Sequence, residues 1–142
     1  MFSQTLLKII SAIPGSVEAS LTIRPEGINR GKTLHGGAIC SITDTMGSLA
    51  LSSTGLHSSG VSTDIGATFV RAAGKEGDTI KILSTVLSKG RSLGFTKVEL
   101  RDSSNRVVAF GHHTKFIGRS SNPELDVRFS SDGESVVAGS EK

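Results

Sequence analysis

The chain has 142 residues, a formal net charge of +3, one cysteine and neither tryptophan nor tyrosine. This length predicts a single domain with enough interior to fold. Without Trp, Tyr or a run of Lys and Arg, the composition argues against a nucleic-acid-binding protein. The lone Cys40 excludes an intrachain disulfide and a cysteine-based metal site, predicts a reducing intracellular compartment and is expected to be buried. No apolar run in the sequence is long enough to span a bilayer.

The first predicted elements are an apolar N-terminal stretch and a strand. Residues 1–13 show no clear signal or transit pattern and are predicted to lead into the first strand or to pack on the core. After a turn at Pro14-Gly15, apolar and polar residues alternate strictly over 17–24. This alternation predicts a half-buried strand.

The stretch 29–53 comes next and predicts a loop followed by one long helix that ends near Gly55. At about 100° per residue, one face of this helix is apolar and Asp44 lies on the opposite side. The apolar face contains Ile39, Ile42, Met46, Leu49 and Ala50. The face around Asp44, predicted to be open to a ligand or a second helix, contains Cys40, Gly47, Ser48 and Leu51.

More strands are predicted after the helix, connected by polar or glycine-containing turns. They span 61–69, 78–88, 93–101 and 106–117. On the first of them, alternation places Ser62 and Asp64 on the face opposite Val61, Ile65 and Phe69. Strand, helix and meander together predict an α+β fold, with an antiparallel five-stranded sheet wrapped around one long central helix.

Two further patterns concern the surface and the end of the chain. The later strands carry apolar residues on both faces, so the face away from the helix is not expected to be fully solvated, which indicates association. The segment 119–142 is rich in Ser, Gly and charged residues and is predicted to be a flexible tail. The predicted domain therefore spans 1–118.

The start of the predicted helix is the first candidate site. Gly36 and Gly37 lie in its first turn, where backbone N–H groups have no partner within the helix. These donors and the positive end of the helix dipole favour an anion or a polarised carbonyl oxygen. Because glycine has no Cβ, an acyl group can approach closely. The chemistry is that of an oxyanion hole, although a simple loop-to-helix turn would have the same residues.

The distance between Gly36 and Asp44 limits how they can work together. Eight residues separate them, which is roughly 12 Å along a helix axis at about 1.5 Å per residue. A general base must lie about 3 Å from the water that it activates, and that water about 3–3.5 Å from the carbonyl. Both residues can therefore serve one reaction centre only if they come from two subunits, with two sites related by a two-fold axis. An enzyme of this type is predicted to be an obligate dimer.

Several short motifs, taken in order, resemble the hotdog-fold acyl-CoA thioesterases over about residues 2–118. They are Asn29…Leu34-His35-Gly36-Gly37…Thr43-Asp44, Gly60-Val61-Ser62-Thr63-Asp64, Lys89-Gly90-Arg91-Ser92-Leu93 and Gly111-His112-His113-Thr114-Lys115. The resemblance implies a hotdog fold and a metal-independent thioesterase without a cofactor, acting on a medium-chain, long-chain or aryl acyl-CoA. Similar proteins usually carry a helix ahead of the first strand and have a shorter polar tail.

The resemblance also implies roles for individual residues. The Gly36 N–H polarises the thioester carbonyl, Asn29 helps to hold the acyl end and His35 shapes the site. Asp44 of the opposing subunit acts as general base or orients the attacking water, and Ser62 helps to position that water. Binding of the CoA end is implied for Lys89, Gly90, Arg91 and Lys115.

The expected partners follow from the same resemblance. Dimers of this family pair their sheets edge to edge and stack into tetramers, which implies a homodimer with sites at the subunit interface and a dimer of dimers. Cytosol and mitochondrion both fit this sequence. Two other functions stay open, namely an acyl-CoA hydratase or dehydratase that uses His35 with Asp44, and a non-catalytic acyl-CoA-binding protein.

Two further site types are not expected. His112 and His113 are neighbours on a predicted strand and face opposite ways, so they are not expected to bind a metal together. Ser62 is not expected to be a nucleophile, because no partnership with a histidine and an acid is legible in the sequence.

Overall fold

The computed structural model describes residues 7–139 and has one helix packed against a large antiparallel sheet. The helix is α1 (Gly36–Ser52). The strands in chain order are β1 (Leu7–Ile13), β2 (Ser16–Thr22), β3 (Val61–Phe69), β4 (Thr79–Lys89), β5 (Leu93–Arg101), β6 (Val107–Phe116), β7 (Arg128–Phe129) and β8 (Val136–Ala138). This arrangement confirms the α+β class. No helix of the described part is long and apolar enough to cross a membrane.

The large sheet has six strands, one more than the sequence predicted. Residues 7–13 do more than lead into the first strand, because they form β1 and pair with β2 across the turn at Pro14-Gly15. Gly15 has a φ of 83°, which a residue without a Cβ adopts at little cost. Residues 1–6 of the same stretch lie outside the described part of the chain.

The order of strands in the sheet is β1-β2-β4-β5-β6-β3. The four strands after the helix were predicted to form a meander, and this is wrong, since only β4, β5 and β6 among them are consecutive neighbours. β3 instead pairs with β6 and forms one edge of the sheet, while β2 occupies the place beside β4. The reason is non-local, because chain order alone does not say on which side of a sheet a strand after a long helix will pair.

The helix buries a wider surface than its apolar stripe. Ile39, Ile42, Met46 and Ala50 are buried as predicted, and Leu49 is half-buried. Gly47 and Leu51, which were placed on the open face around Asp44, are buried too. A Cβ on Gly47 would lie 2.7 Å from Thr96 Oγ1 and 2.8 Å from His113, so only glycine lets the helix lie this close to the sheet. Cys40, in contrast, is exposed rather than buried.

The face of the sheet away from the helix is partly apolar, as the pattern of the later strands indicated. Large apolar side chains on this outer face are at least one-third exposed, among them Leu83, Phe95, Phe110 and Phe116.

The segment after β6 lies against the loop that follows α1. Asp126 accepts a hydrogen bond from the His57 N–H at 2.8 Å, and the Val127 N–H donates to the Gly55 carbonyl at 3.0 Å. β7 and β8 then pair in a short hairpin. The division of the chain at residue 118 and the flexibility of the tail stay predictions.

Candidate functional site along one helix

The first half of the site is the N-terminus of α1. His35 is the N-cap residue, and its Nδ1 accepts a hydrogen bond from the Gly37 N–H at 2.9 Å. Its carbonyl accepts from the Ala38 and Ile39 N–H groups. Among residues 7–139, no acceptor takes the Gly36 N–H. The helix therefore begins with one free backbone donor at the positive end of its dipole.

A folded loop holds this donor in place. The Asn29 side chain accepts from the Thr33 N–H at 3.2 Å and also bonds the Thr33 hydroxyl. The His35 N–H donates to the Gly27 carbonyl at 2.7 Å, which fixes the residue just before the helix. A cavity of about 270 Å³ opens here and includes Asn29, Gly36, Phe69 and Arg71 in its lining. We call it the donor pocket.

The second half of the site is a polar cluster further along the helix. Asp44 projects from α1 with most of its side chain exposed, and its Oδ1 lies 3.6 Å from His113 Nε2 on β6. The same Nε2 lies 2.7 Å from the Ser62 hydroxyl on β3. His113 itself is fully buried. We call Asp44, Ser62, His113 and Lys115 the acid cluster.

A bulge in β3 brings Ser62 into this cluster. The pairing of β3 with β6 shifts by one residue between Ser62 and Asp64. Because paired residues share a face of a sheet, Ser62 lies with Lys115 on the helix side, whereas Asp64 lies with Thr114 on the outer side. The prediction that Ser62 and Asp64 share a face is therefore wrong. Asp64 bonds His112 Nε2 at 2.8 Å, away from the cluster.

Lys115, one of the residues implied for CoA binding, is buried in the single chain. It is only 5% exposed, and its Nζ donates to Ser48 Oγ at 2.7 Å and to Ser59 Oγ at 3.2 Å. Ser48 belongs to α1 and Ser59 to the loop before β3, so this ammonium connects the two elements that carry Asp44 and Ser62. In the single chain the ammonium group is therefore directed into the protein and not toward phosphates at the surface.

The other residues implied for CoA binding lie together at the β4–β5 turn. Lys89 Nζ donates to Thr54 Oγ1 at 3.1 Å, just beyond the C-terminal end of α1. The Gly90 N–H donates to the Leu93 carbonyl at 2.9 Å and closes the predicted hairpin turn. Arg91 is exposed beside them. Their contact with CoA stays a prediction.

Burial shifts the pKa of two members of the acid cluster. Burial lowers the pKa of His113 below its ordinary value, and the neighbouring Asp44 carboxylate opposes this only partly. Burial also lowers the pKa of Lys115, again against the attraction of Asp44. The cluster therefore favours a neutral imidazole beside one exposed carboxylate.

Sequence reasoning did not identify His113 as part of this cluster. The opposite facings of His112 and His113 are as predicted, but which of the two faces the helix was left open. One signal was available, because alternation along the strand places His113 on the same face as the small residues Ala109 and Gly111. Among residues 7–139, no three His, Cys, Asp or Glu side chains are grouped to hold a metal ion.

In one chain, the two halves of the site do not meet. The donor pocket lies at the first residue of α1, and Asp44 lies eight residues later on the same helix. A free N–H donor can stabilise a negative oxygen, and a carboxylate with an adjacent hydroxyl can hold and deprotonate a water. Together these groups suit the hydrolysis of an acyl compound.

Comparisons with known proteins agree with this chemistry. The sequence pattern of the Thioesterase superfamily matches residues 31–109. A protein of Schizosaccharomyces pombe, named only provisionally as an esterase, is 46% identical over 111 residues, which are 78% of this chain and 69% of that protein. Human acyl-coenzyme A thioesterase 13 is 37% identical over 120 residues, covering 82% of this chain and 85% of that protein.

A solved structure shows the same fold. Zebrafish thioesterase superfamily member 2 superposes with a TM-score of 0.73 at 33% identity and covers 80% of this chain and 83% of that chain. Its fold is the hotdog fold that the resemblance implied. The free N–H, the acid cluster and these relatives agree, and the chain therefore belongs to the thioesterase superfamily, as a hotdog-fold hydrolase.

Proposed function

We propose that the protein is an acyl-CoA thioesterase whose sites form between two copies of the chain. Each site would combine the donor pocket of one copy with the acid cluster of the other. The observation that supports this most directly is the separation of the free Gly36 N–H from Asp44 along one rigid helix. A second copy is the simplest way to bring both to one carbonyl.

The edge strand β3 offers the surface for this pairing. It is nine residues long and exposes Val61, Ile65 and Phe69 at 63%, 41% and 54%. An exposed, apolar edge strand of this length is a ready template for another strand. If β3 pairs antiparallel with itself over its full length, Ser62 of one copy lies near Phe69 of the other. The Phe69 ring lies beside Gly36, since a Cβ added to that glycine would be 3.4 Å from the ring.

The proposed reaction is the addition of water to the thioester. The Gly36 N–H holds the carbonyl oxygen as it becomes negative, and Asp44 takes one proton from the attacking water. The tetrahedral intermediate then expels the CoA thiolate, which recovers that proton. The products are a free acid and CoA–SH, and no metal or cofactor takes part.

The substrate follows from the surface charge and the relatives. Human acyl-coenzyme A thioesterase 13 is named for acyl-CoA, and this chain is similar to it over 120 residues. Arg71 in the donor pocket and the exposed Lys89 and Arg91 supply cationic groups that suit phosphates. The apolar part of the pocket suits a medium-chain, long-chain or aryl acyl group. We further propose a dimer of dimers through the apolar outer face and a cytosolic or mitochondrial location.

The alternative chemistries use fewer of the observed features. A hydratase would need His35 as an acid or base, and because its Nδ1 accepts the Gly37 N–H and caps the helix, only Nε2 is left for proton transfer. A non-catalytic binder would have no use for a carboxylate beside an oriented hydroxyl. Hydrolysis uses the free donor, the acid and Ser62 at once.

The test is release of CoA–SH, followed with a thiol reagent, over acyl-CoAs from acetyl to palmitoyl and an aryl-acetyl example. Asp44→Asn should lower kcat by about 10²–10⁴, the usual scale for a general base. Asp64→Asn is the matched control, because Asp64 lies two residues after Ser62 but on the outer face. It should stay within about twofold of wild type.

Three outcomes would contradict the proposal. Acyl-CoA binding without turnover on any substrate would leave a binding protein or a hydratase. Turnover that Asp44→Asn does not change would keep the activity and remove the mechanism. A monomer in sedimentation that is fully active would overturn the shared site.

A further inference from the structure

His113 is a buried titratable group with no assigned part in the reaction. Its Nε2 faces two oxygens, Ser62 Oγ at 2.7 Å and Asp44 Oδ1 at 3.6 Å. Its Nδ1 is buried and has no hydrogen-bond partner among residues 7–139. Gly47 lies against the Nδ1 side, where an added Cβ would be 2.8 Å away. The ring is therefore held between the helix and the sheet with only one polar edge in use.

The partners of the two nitrogens decide which one carries the proton. A proton on Nδ1 would leave a buried N–H without an acceptor, which is rarer and costlier in proteins than an unfilled lone pair. It would also turn the lone pair of Nε2 toward the Asp44 carboxylate. A proton on Nε2 avoids both penalties, because this nitrogen then donates to Ser62 Oγ.

The charges around the ring agree with a neutral imidazole. Asp44 on α1 attracts a proton to the ring, and Asp64 on β3 does so more weakly. Lys115, which lies on β6 like His113 itself, repels a proton. Burial outweighs the two acids and lowers the pKa of His113. An imidazolium would moreover place a second N–H, that of Nδ1, in the core without an acceptor.

We infer that His113 is a positioning residue that donates its Nε2–H to Ser62 and thereby directs the Ser62 hydroxyl proton toward the attacking water. A hydroxyl has one proton and two lone pairs, and the histidine takes one lone pair. A water that accepts from Ser62 and donates to Asp44 keeps a lone pair free for the carbonyl. This inference rests on the proposed thioesterase function.

The same geometry disfavours a serine nucleophile. In a catalytic triad the acid binds the imidazole nitrogen remote from the serine, and the near nitrogen accepts the serine proton. Here Asp44 and Ser62 face the same nitrogen, and that nitrogen already carries the proton. A histidine and an acid therefore do lie beside Ser62, contrary to what the sequence indicated, yet they do not activate it.

The direct test is the protonation state of the ring in the full-length wild-type protein. Long-range proton–nitrogen NMR correlations distinguish a protonated ring nitrogen from a bare one, and they need no variant. We expect Nε2 of His113 to be protonated and Nδ1 to be bare at pH 7. A proton on Nδ1, or on both nitrogens, would overturn the inference whether or not the protein hydrolyses acyl-CoA.

The kinetic test compares two substitutions of His113. His113→Leu removes the donor and should lower kcat about tenfold with little change in KM, the scale of one lost hydrogen bond. His113→Gln places an amide N–H near the position of Nε2 and should recover most of that loss. His112→Gln, on the outer face, is the matched control and should stay within about twofold of wild type.

The outcomes separate this inference from the proposed function. A burst of CoA release with acyl-Ser62 found by mass spectrometry, and His113→Gln as inactive as His113→Leu, would make Ser62 the nucleophile and overturn the inference alone. No turnover by wild type on any acyl-CoA would defeat the proposed function, and the NMR result would still decide the proton. If His113→Leu does not fold, the NMR spectrum of the wild type and the kinetics of His113→Gln still test the inference.

Discussion

The donor pocket and the acid cluster are prepared in opposite ways. The donor pocket depends on backbone, since its chemistry comes from a free Gly36 N–H at the start of a helix. The acid cluster depends on side chains from α1, β3 and β6, namely Asp44, Ser62, His113 and Lys115. A backbone donor is positioned as soon as the helix forms, whereas a side-chain cluster needs three elements to pack correctly.

The difference also concerns electrostatics. The donor pocket uses partial charges of the helix end and needs no ionised residue. The acid cluster holds a carboxylate and a buried ammonium near one another, and burial already lowers the pKa of two of its members. We therefore expect the acid cluster to depend on pH and on packing, and the oxyanion donor of the donor pocket to depend on backbone chemistry.

The largest effect that isolates the donor pocket should come from Gly36→Pro. Proline has no N–H, is favoured at the first residue of a helix, and suits the extended backbone of His35 before it. We expect kcat to fall by about 10²–10³, as for the loss of one oxyanion donor. Gly36→Ala keeps the N–H and is the control. Equal losses in both variants, measured by CoA release, would show that space and not the donor is decisive.

A mixture of two inactive variants tests whether the halves come from different chains. Asp44→Asn and Gly36→Pro, refolded together in equal amounts, should form mixed dimers with one intact site and one doubly altered site. Half of the dimers would be mixed, so about a quarter of wild-type activity should return. Mixtures that stay as inactive as their components would place both halves of the site in one chain.

The two lysines provide a smaller contrast. Lys115→Met removes the buried ammonium between Ser48 and Ser59, so we expect kcat to fall about tenfold with KM nearly constant. Lys89→Met, at the exposed turn, should raise KM by a few-fold because it removes a charge available to phosphate. Steady-state kinetics on one acyl-CoA measures both. A rise in KM alone for Lys115→Met would instead indicate that Lys115 binds CoA, as the resemblance implied.

The smallest effect concerns stability against pH. Because the folded protein holds the pKa of His113 below its usual 6.5, the unfolded chain binds this proton at higher pH than the folded one. The preference of the folded protein for a neutral His113 therefore stabilises it above about pH 6.5, and this stabilisation is lost as the pH falls. The Tm of wild type should therefore fall more between pH 8 and pH 5 than that of His113→Gln. The same slope in both proteins would contradict a buried neutral ring.

Local patterns were enough to predict much of this molecule. The apolar stripe predicted α1, alternation predicted β2 and β3, turn residues delimited β4 to β6 within a few residues, and spacing separated Gly36 from Asp44. These inferences need only the period of each element. The order of strands was mispredicted, because the return of β3 to the far edge depends on contacts across the whole sheet.

The acid cluster shows where such reasoning stops. Ser62 and His113 are 51 residues apart, and nothing between them in the chain indicates their hydrogen bond. Alternation also assumes an unbroken strand, so it assigned Ser62 and Asp64 to one face. Gly47 was interpreted as part of an open surface, although it is the contact that admits the His113 ring.

The bulge in β3 has a consequence for insertions and deletions. One additional residue between Ser62 and Asp64 decides which way the serine hydroxyl faces, since side chains alternate with a period of two. Deleting Thr63 would restore even alternation along β3. Either the Ser62 hydroxyl or the side chains from Asp64 onward would then face the wrong side of the sheet. A change in chain length, without the substitution of any polar residue, would then be enough to abolish activity.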